Sequence, residues 1–257
     1  MTETPIAVLG LGEAGSAFAS DLLAAGAHVR AYDPAVKSPR GAVDCIDEAE
    51  AVSTAGLILS VNTARAALLA FQAAADHLAC DAVWADMNTA EPSLKRHLST
   101  LASTRGVAFA DFAIMGAVPV GGLATPLLAS GEGARRAATL LGTYGACVEV
   151  LDAPAGGAVE RKLLRSVFYK GMSSAIVEAL TAARAVGLED WLWGNIAEEL
   201  ANSSEQSLHL IVSSTYRHAA RRADEMAAAT TMLTELGVEP DIAHAAEASL
   251  RRLSAET

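Results

Sequence analysis

The sequence predicts an α/β domain built on a parallel sheet, followed by an all-helical domain. Two observations carry this. Short apolar strands alternate with helical segments as far as about residue 151, and almost no strand signal follows Gly157. The composition agrees: 52% of the 257 residues are hydrophobic but only 5% are aromatic, so the apolar mass is mostly Ala, Leu and Val, which suits packed helices better than a β-sandwich. A chain of this length exceeds the usual single domain of roughly 100–150 residues, and the change of character near 151–157 places the boundary between residues 1–152 and residues 153–257.

The stretch IAVLGLGEAGSAFASDLLAAGAHVRAYD runs from a strand, Ile6–Leu9, through Gly10, Leu11, Gly12, Glu13, Ala14 and Gly15 into an amphipathic helix and then a second strand, His28–Tyr32. The glycine spacing has a mechanical reason. The first glycine permits the tight turn, the second lets a pyrophosphate approach the backbone, and the third lets helix and strand pack closely, with the helix amides facing the anion. This is the Rossmann-like arrangement. Asp33 ends the second strand, where its carboxylate would accept hydrogen bonds from the adenosine ribose; this favours NAD, while Lys37 and Arg40 close behind leave NADP open. Further strands are expected at Gly56–Val61, Ala82–Asp86, Val107–Asp111 and Val148–Leu151, with helices over Thr63–Leu78 and Glu91–Thr104. In such a sheet ligands sit at the carboxyl ends of the strands, so the loops at Asn62 and Thr63, at Asn88 and Thr89, and over Ala113–Gly122 become candidates; each Asn or Thr also reads as an ordinary helix cap.

Beyond the turn at Asp152–Gly157, helices are expected over Ala158–Val186, Trp191–Asn202, Ser207–Leu236 and Ile242–Leu253. The first contains GGAVERKLLRSVFYKG, which would be a buried apolar helix but for its basic residues. At about 100° per residue, Lys162, Arg165, Ser166, Tyr169 and Ser173 share one stripe, while Leu164, Val167, Phe168 and Gly171 face the other way. A basic stripe is ordinarily a solvated face. This one begins where the second domain leaves the first, which gives it a place from which to overlook a nucleotide.

Composition also excludes partners. A formal charge of −11 disfavours a broad nucleic-acid or anionic-membrane surface. Cys45, Cys80 and Cys147 are odd in number, widely spaced and without histidines at ligand spacing, indicating neither disulfides nor a metal site. The opening MTETPIAVLG lacks a secretory pattern, and no apolar run of about 18 residues follows. A cytoplasmic protein acting on a small molecule is expected.

These segments resemble the β-hydroxyacid dehydrogenases, the superfamily of 3-hydroxyisobutyrate and 6-phosphogluconate dehydrogenases. GLGEAGSAFASDL is similar to the cofactor loop GLGxMGxxMAxxL, with Ala14 in place of Met. DMNTAEP, residues 86–92, resembles the DxSTxxP segment beside the nicotinamide, with Asn88 in place of Ser. GGAVERKLLRS matches GxGxxxKxxNN in part: Lys162 falls on the catalytic lysine, and Arg165 and Ser166 replace two asparagines. DFAIMGA, residues 111–117, stands where the family has the substrate loop DAPVSGG, so Met115 occupies a substrate-binding serine's place, next to Gly116. IMGAVPVGGLATPLL, RSVFYKG and YRHAARRADEM look most like a less characterised branch with a distinct C-terminal domain. The resemblance implies an NAD(P)-dependent oxidoreductase that transfers hydride between a nicotinamide and a small hydroxyacid-type substrate, and a homodimer.

In that reading Lys162 is the general acid/base, its ammonium disfavoured by partial burial and by Arg165 one turn away, and Arg165 anchors a substrate carboxylate. Asn88 bonds the substrate or the nicotinamide amide, Met115 makes the pocket more apolar than the family norm, and Tyr169 is a further pocket candidate. Two other readings stay open: an imine reductase or reductive aminase, against which Lys162 argues mildly, and an NAD(P)-binding protein without catalysis. Glu178, Arg184, Arg221 and Arg222 are expected on solvated or subunit-contact faces, and Trp191 and Trp193 in a domain or dimer contact.

Overall fold

The structure, a computed structural model, describes residues 4–256. It divides into two compact units, Met1–Arg165 and Ser166–Thr257.

The first unit holds strands β1 (Ile6–Leu9), β2 (Val29–Tyr32), β3 (Val43–Asp44), β4 (Leu57–Ser60), β5 (Val83–Asp86), β6 (Ala108–Ile114), β7 (Leu127–Ser130) and β8 (Val148–Val150), in the spatial order β3-β2-β1-β4-β5-β6-β7-β8. Every pairing is parallel except β6 with β7. The expected parallel sheet carries one antiparallel pair: Leu127–Ser130 returns along Asp111–Ile114, and β6 runs beyond Asp111 to meet it. The intervening helices are α1 (Glu13–Ala24), α2 (Glu48–Val52), α3 (Ala67–Ala74), α4 (Pro92–Ser103), α5 (Val118–Gly121) and α6 (Ala134–Gly142). The expected loop over 113–122 therefore contains a short helix, started by Pro119 at a position where a missing amide costs nothing.

Strands β1, β4 and β5 are buried along their whole length because helices cover both faces of the sheet. Alternate side chains serve opposite cores. Ile6, Val8, Leu57 and Leu59 pack with Phe18 and Leu22 of α1 and Leu141 of α6. Ala7, Leu9, Ile58 and Trp84 pack with Phe71 of α3 and Leu98 of α4, where Phe71 meets Trp84 edge to face at 4.9 Å between ring centroids.

The second unit comprises most of α7 (Gly157–Ala185) with α8 (Glu189–Ala201), α9 (Glu205–Arg217), α10 (Ala219–Glu235) and α11 (Asp241–Ala255). The helix expected over Ser207–Leu236 is two, broken at His218, whose backbone leaves helical geometry at φ −120° and ψ 24°. Ala182, Leu233 and Ala243 form its small core. Glu178 is not a merely solvated charge: its carboxylate accepts the amides of Ile242 and Ala243 at 2.7 and 2.8 Å and so caps α11. Arg184 pairs with Glu189, Arg221 with Glu225, and Arg222 bonds Ser214 and Thr215. No described helix is long and apolar enough to cross a membrane.

Candidate functional site

The strand order reverses between β1 and β4, since β1 is followed in space by β2 on one side and by β4 on the other. Ligand crevices form where connections diverge from such a point. A cleft of about 330 Å³ opens there, lined by Gly10 and Gly12 after β1, Asp33 and Pro34 after β2, Asn62 and Thr63 after β4, and Glu48 at the start of α2.

The glycines show why this loop needs them. Gly10 has φ +94°, and a Cβ there would lie 2.5 Å from Asn62 Oδ1. A Cβ on Gly15 would lie 1.9 Å from the Gly10 carbonyl oxygen, so only hydrogen lets α1 seat against the turn. Around Gly12 a Cβ would meet nothing within 4 Å, which leaves open space above the start of α1. Gly15→Ala is therefore expected to lower stability by roughly 1–3 kcal/mol through overpacking and to weaken dinucleotide binding, read by thermal melting and by NADH fluorescence titration.

Asp33 organises the cleft's other wall. Its Oδ2 accepts the Leu11 amide at 2.7 Å, and its Oδ1 accepts the amides of Ala35 and Val36 at 2.8 and 3.0 Å. Burial works against its ionisation, but those three amides outweigh it and hold the carboxyl below the ordinary range. Of about four acceptor sites on a carboxylate, one on Oδ2 is left. Nearby, burial pushes the Tyr32 phenol up, and the charges of Glu48, Asp47 and Asp33 push it the same way, so the surroundings are acidic. Neither Lys37 nor Arg40 lines the cleft; Lys37 instead adds to the Ser38 hydrogen bonds that hold the Asp44 carboxyl down.

At the carboxyl end of β5 lies a buried polar network that sequence reasoning missed. Asn88 donates from Nδ2 to Ser60 Oγ at 3.1 Å and to Asp86 Oδ2 at 2.9 Å, and Asn62 donates to the same Ser60 oxygen at 3.2 Å. Asn88 Oδ1 is buried without a hydrogen-bond partner. Lys95 of α4 is fully buried, its Nζ 2.5 Å from Asp86 Oδ1 and 3.0 Å from Asp111 Oδ1. Asp111 Oδ2 accepts the amides of Gly156, Ala158 and Val159 and the Ser130 hydroxyl, at 3.0–3.2 Å. The carboxylate thus caps the first turn of α7. A signal for Lys95 existed: it shares a buried helical stripe with Leu98 and Ala102, where a charge demands a partner.

The structure gathers Gly10, Gly12, Asp33, Asn62 and Thr63 around one cleft and ties Asn62 to Asn88 through Ser60. Leu11 contributes its amide to Asp33, Gly15 packs beneath the turn, and Glu13 and Ala14 open α1. Thr89 is exposed; Thr63 Oγ1 accepts the Ala66 amide at 3.2 Å, an ordinary capping role. Met115 is half-buried, its amide on the Pro126 carbonyl, and Gly116 packs beside Thr125. Lys162 is half-buried and Arg165 exposed, both at the end of the first unit; Tyr169 belongs to the second, edge to face with Phe168. The far face of this part of α7 is not buried as expected: Leu164, Val167 and Phe168 are exposed, Val167 by 76%.

The sequence profile described as the NAD binding domain of 6-phosphogluconate dehydrogenase matches residues 5–152. The chain belongs to this family. A domain of unknown function, DUF1932, matches residues 183–253, so the dehydrogenase-type NAD binding domain is joined to a distinct helical domain. Among solved structures, the conserved protein MTH1747, of unknown function and described as structurally similar to 3-hydroxyacid dehydrogenases, is 28% identical with TM-score 0.60, covering 98% of each chain. A reductive aminase from Aspergillus terreus, in complex with NADPH4, cyclohexanone and allyl amine, is 19% identical with TM-score 0.80, covering 99% of this chain and 95% of its own. An imine reductase from Myxococcus stipitatus, in complex with NADP+, is 18% identical with TM-score 0.81, covering 98% and 94%. The last two likenesses establish the fold. No curated protein matches the chain.

Proposed function

We propose that the protein is an NAD(P)-dependent oxidoreductase that moves hydride between a nicotinamide and a small hydroxyacid-type substrate, with Lys162 as general acid/base. The observation that carries this is the joining of the Asn88 loop to the first turn of α7, the helix that bears Lys162 and Arg165, through one buried network. The cleft fits a dinucleotide: the space over Gly12 accepts a pyrophosphate, Asp33 has an acceptor left for a ribose hydroxyl, and the unpartnered Asn88 Oδ1 suits a carboxamide donor. The nicotinamide, when bound, accepts or returns the hydride. Lys162 takes the substrate hydroxyl proton at Nζ in oxidation and gives it back in reduction, and Arg165 pairs with the substrate carboxylate through its planar fork. Met115 and Gly116 line the substrate side.

The acidic wall supports NAD over NADP. A 2′-phosphate brought beside Asp33 and Glu48 would meet like charges. Asp33→Asn with Glu48→Gln is expected to raise NADPH affinity by about tenfold and to lower NADH affinity, read by fluorescence titration; unchanged preference would place discrimination elsewhere.

A reductive reading, imine reduction or reductive amination, is favoured by one observation: Met115 offers apolar surface where a hydroxyacid site would place a hydroxyl. Assay of NADH and NADPH oxidation against 2-oxoacids, semialdehydes and cyclic imines, with the reverse reaction on hydroxyacids, separates the two. Turnover of imines alone would replace the first reading with the second, and tight binding without any turnover would leave a non-catalytic reader of NAD(P).

The protein works as a homodimer in this proposal. Helices α8 and α9 have no buried residue, yet they carry exposed Trp191, Trp193, Leu210 and Ile211. Large exposed apolar side chains on helices that bury nothing of their own suit an interface. Light scattering is expected to give twice the chain mass, and Ile211→Glu to halve it.

A further inference from the structure

Three buried charges are a costly way to hold a strand end, a helix and a loop together, since well-packed apolar residues of similar volume do so equally well. What the charges add is direction. The hydrogen bonds from Asn88 and Lys95 to Asp86 have fixed donors and acceptors, Lys95 pairs with Asp111, and that carboxylate grips the amides of Ala158 and Val159 in α7 and of Gly156 just before it, together with Ser130. Ser130 Oγ, which donates to Asp111, itself accepts the Ala158 amide at 3.0 Å, so both groups hold the same turn. The turn is also pressed close to the Asn88 segment: a Cβ on Gly156 would lie 3.0 Å from the Pro92 carbonyl oxygen.

We propose that Asp111, oriented by Lys95 and Asp86, is a positioning residue that sets the first turn of α7 and with it the placement of the Lys162 amine. Lys162 stands about 8 Å along the helix axis from Gly157, near enough that a rotation or fraying of that turn moves its side chain directly. The inference rests on the reading of Lys162 as the proton-transferring group, but its test needs no substrate. Asn88, at the other end of the network, is kept in register with the same turn, so the two groups assigned to the reacting end are placed by one device rather than separately.

The test uses the full chain with Asp111→Asn and, as a milder change that keeps all three charges, Ser130→Ala. Folding is checked by thermal melting. Acylation of Lys162 by acetic anhydride is followed by mass spectrometry as a function of pH, and amide exchange is followed over residues 156–162. The expected result is faster exchange in that segment and a Lys162 labelling midpoint moved by about one pH unit in Asp111→Asn, with a smaller movement in Ser130→Ala. A midpoint that stays at its original value in whichever variants fold overturns the proposal, even if exchange quickens, because the turn would then loosen without displacing the amine. The functional reading fails by a different sign, full turnover in Lys162→Ala, which leaves these measurements as they are.

Discussion

Lys162→Ala is expected to lower the rate of hydride transfer about a thousandfold, within the range that a positioned acid or base supplies, while the NADH Kd changes by less than about threefold. The split follows from where the groups lie. The cleft that would hold the dinucleotide is lined by Gly10, Gly12, Asp33, Asn62 and Thr63, from loops after β1, β2 and β4, and Lys162 lines no part of it. The amine enters the proposal only at the substrate oxygen, so its loss removes an interaction made in the transition state and leaves the cofactor's binding contacts intact. Lys162→Arg distinguishes proton transfer from charge. A guanidinium retains the positive charge but does not release its proton in this pH range, so this variant should remain as slow as Lys162→Ala, whereas a small primary amine added to Lys162→Ala should restore part of the rate. An arginine variant with near-normal turnover would reduce Lys162 to an electrostatic anchor.

The elements that were legible in the sequence are those whose pattern is local. The loop Gly10 to Gly15 announces itself because tight turn, open backbone and close packing each require glycine at a set spacing, and Asp33 follows from the end of the next apolar run. Strand β7 was not legible, because its identity depends on a return pairing with β6 that no spacing within Leu127–Ser130 encodes. The break at His218 has neither proline nor glycine to mark it, and helical periodicity runs across it. Lys95 falls within an ordinary helical run, and only its place on the buried stripe of Leu98 and Ala102 requires a partner for its charge. Asp86 and Asp111 were both in view as strand ends; what the linear order hides is that β5 and β6 are neighbours in register, Asp86 opposite Asp111, which puts both carboxylates at one ammonium.

Lys95→Met is expected to cost about 3–5 kcal/mol and to lower the melting temperature by roughly 10 °C. Methionine keeps most of the lysine stem's volume beside Leu98 and Ala102, so packing changes little and the effect isolates the charge. Asp86 and Asp111 then face each other with no cation between them, both fully buried. Their remaining hydrogen bonds, from Asn88 to Asp86 and from Ser130, Gly156, Ala158 and Val159 to Asp111 Oδ2, leave Asp111 Oδ1 without a donor and supply no full positive charge. Against a total folding free energy of about 5–15 kcal/mol, the loss is a large fraction of what holds the first unit together. Arg221→Met provides the contrast: its ion pair with Glu225 is exposed on both sides, and water replaces it with little change in the melt. Equal melting temperatures for the two variants would mean that the buried carboxylates find another way to shed their charge, and that Lys95 does not bind strand ends and helix start into one unit.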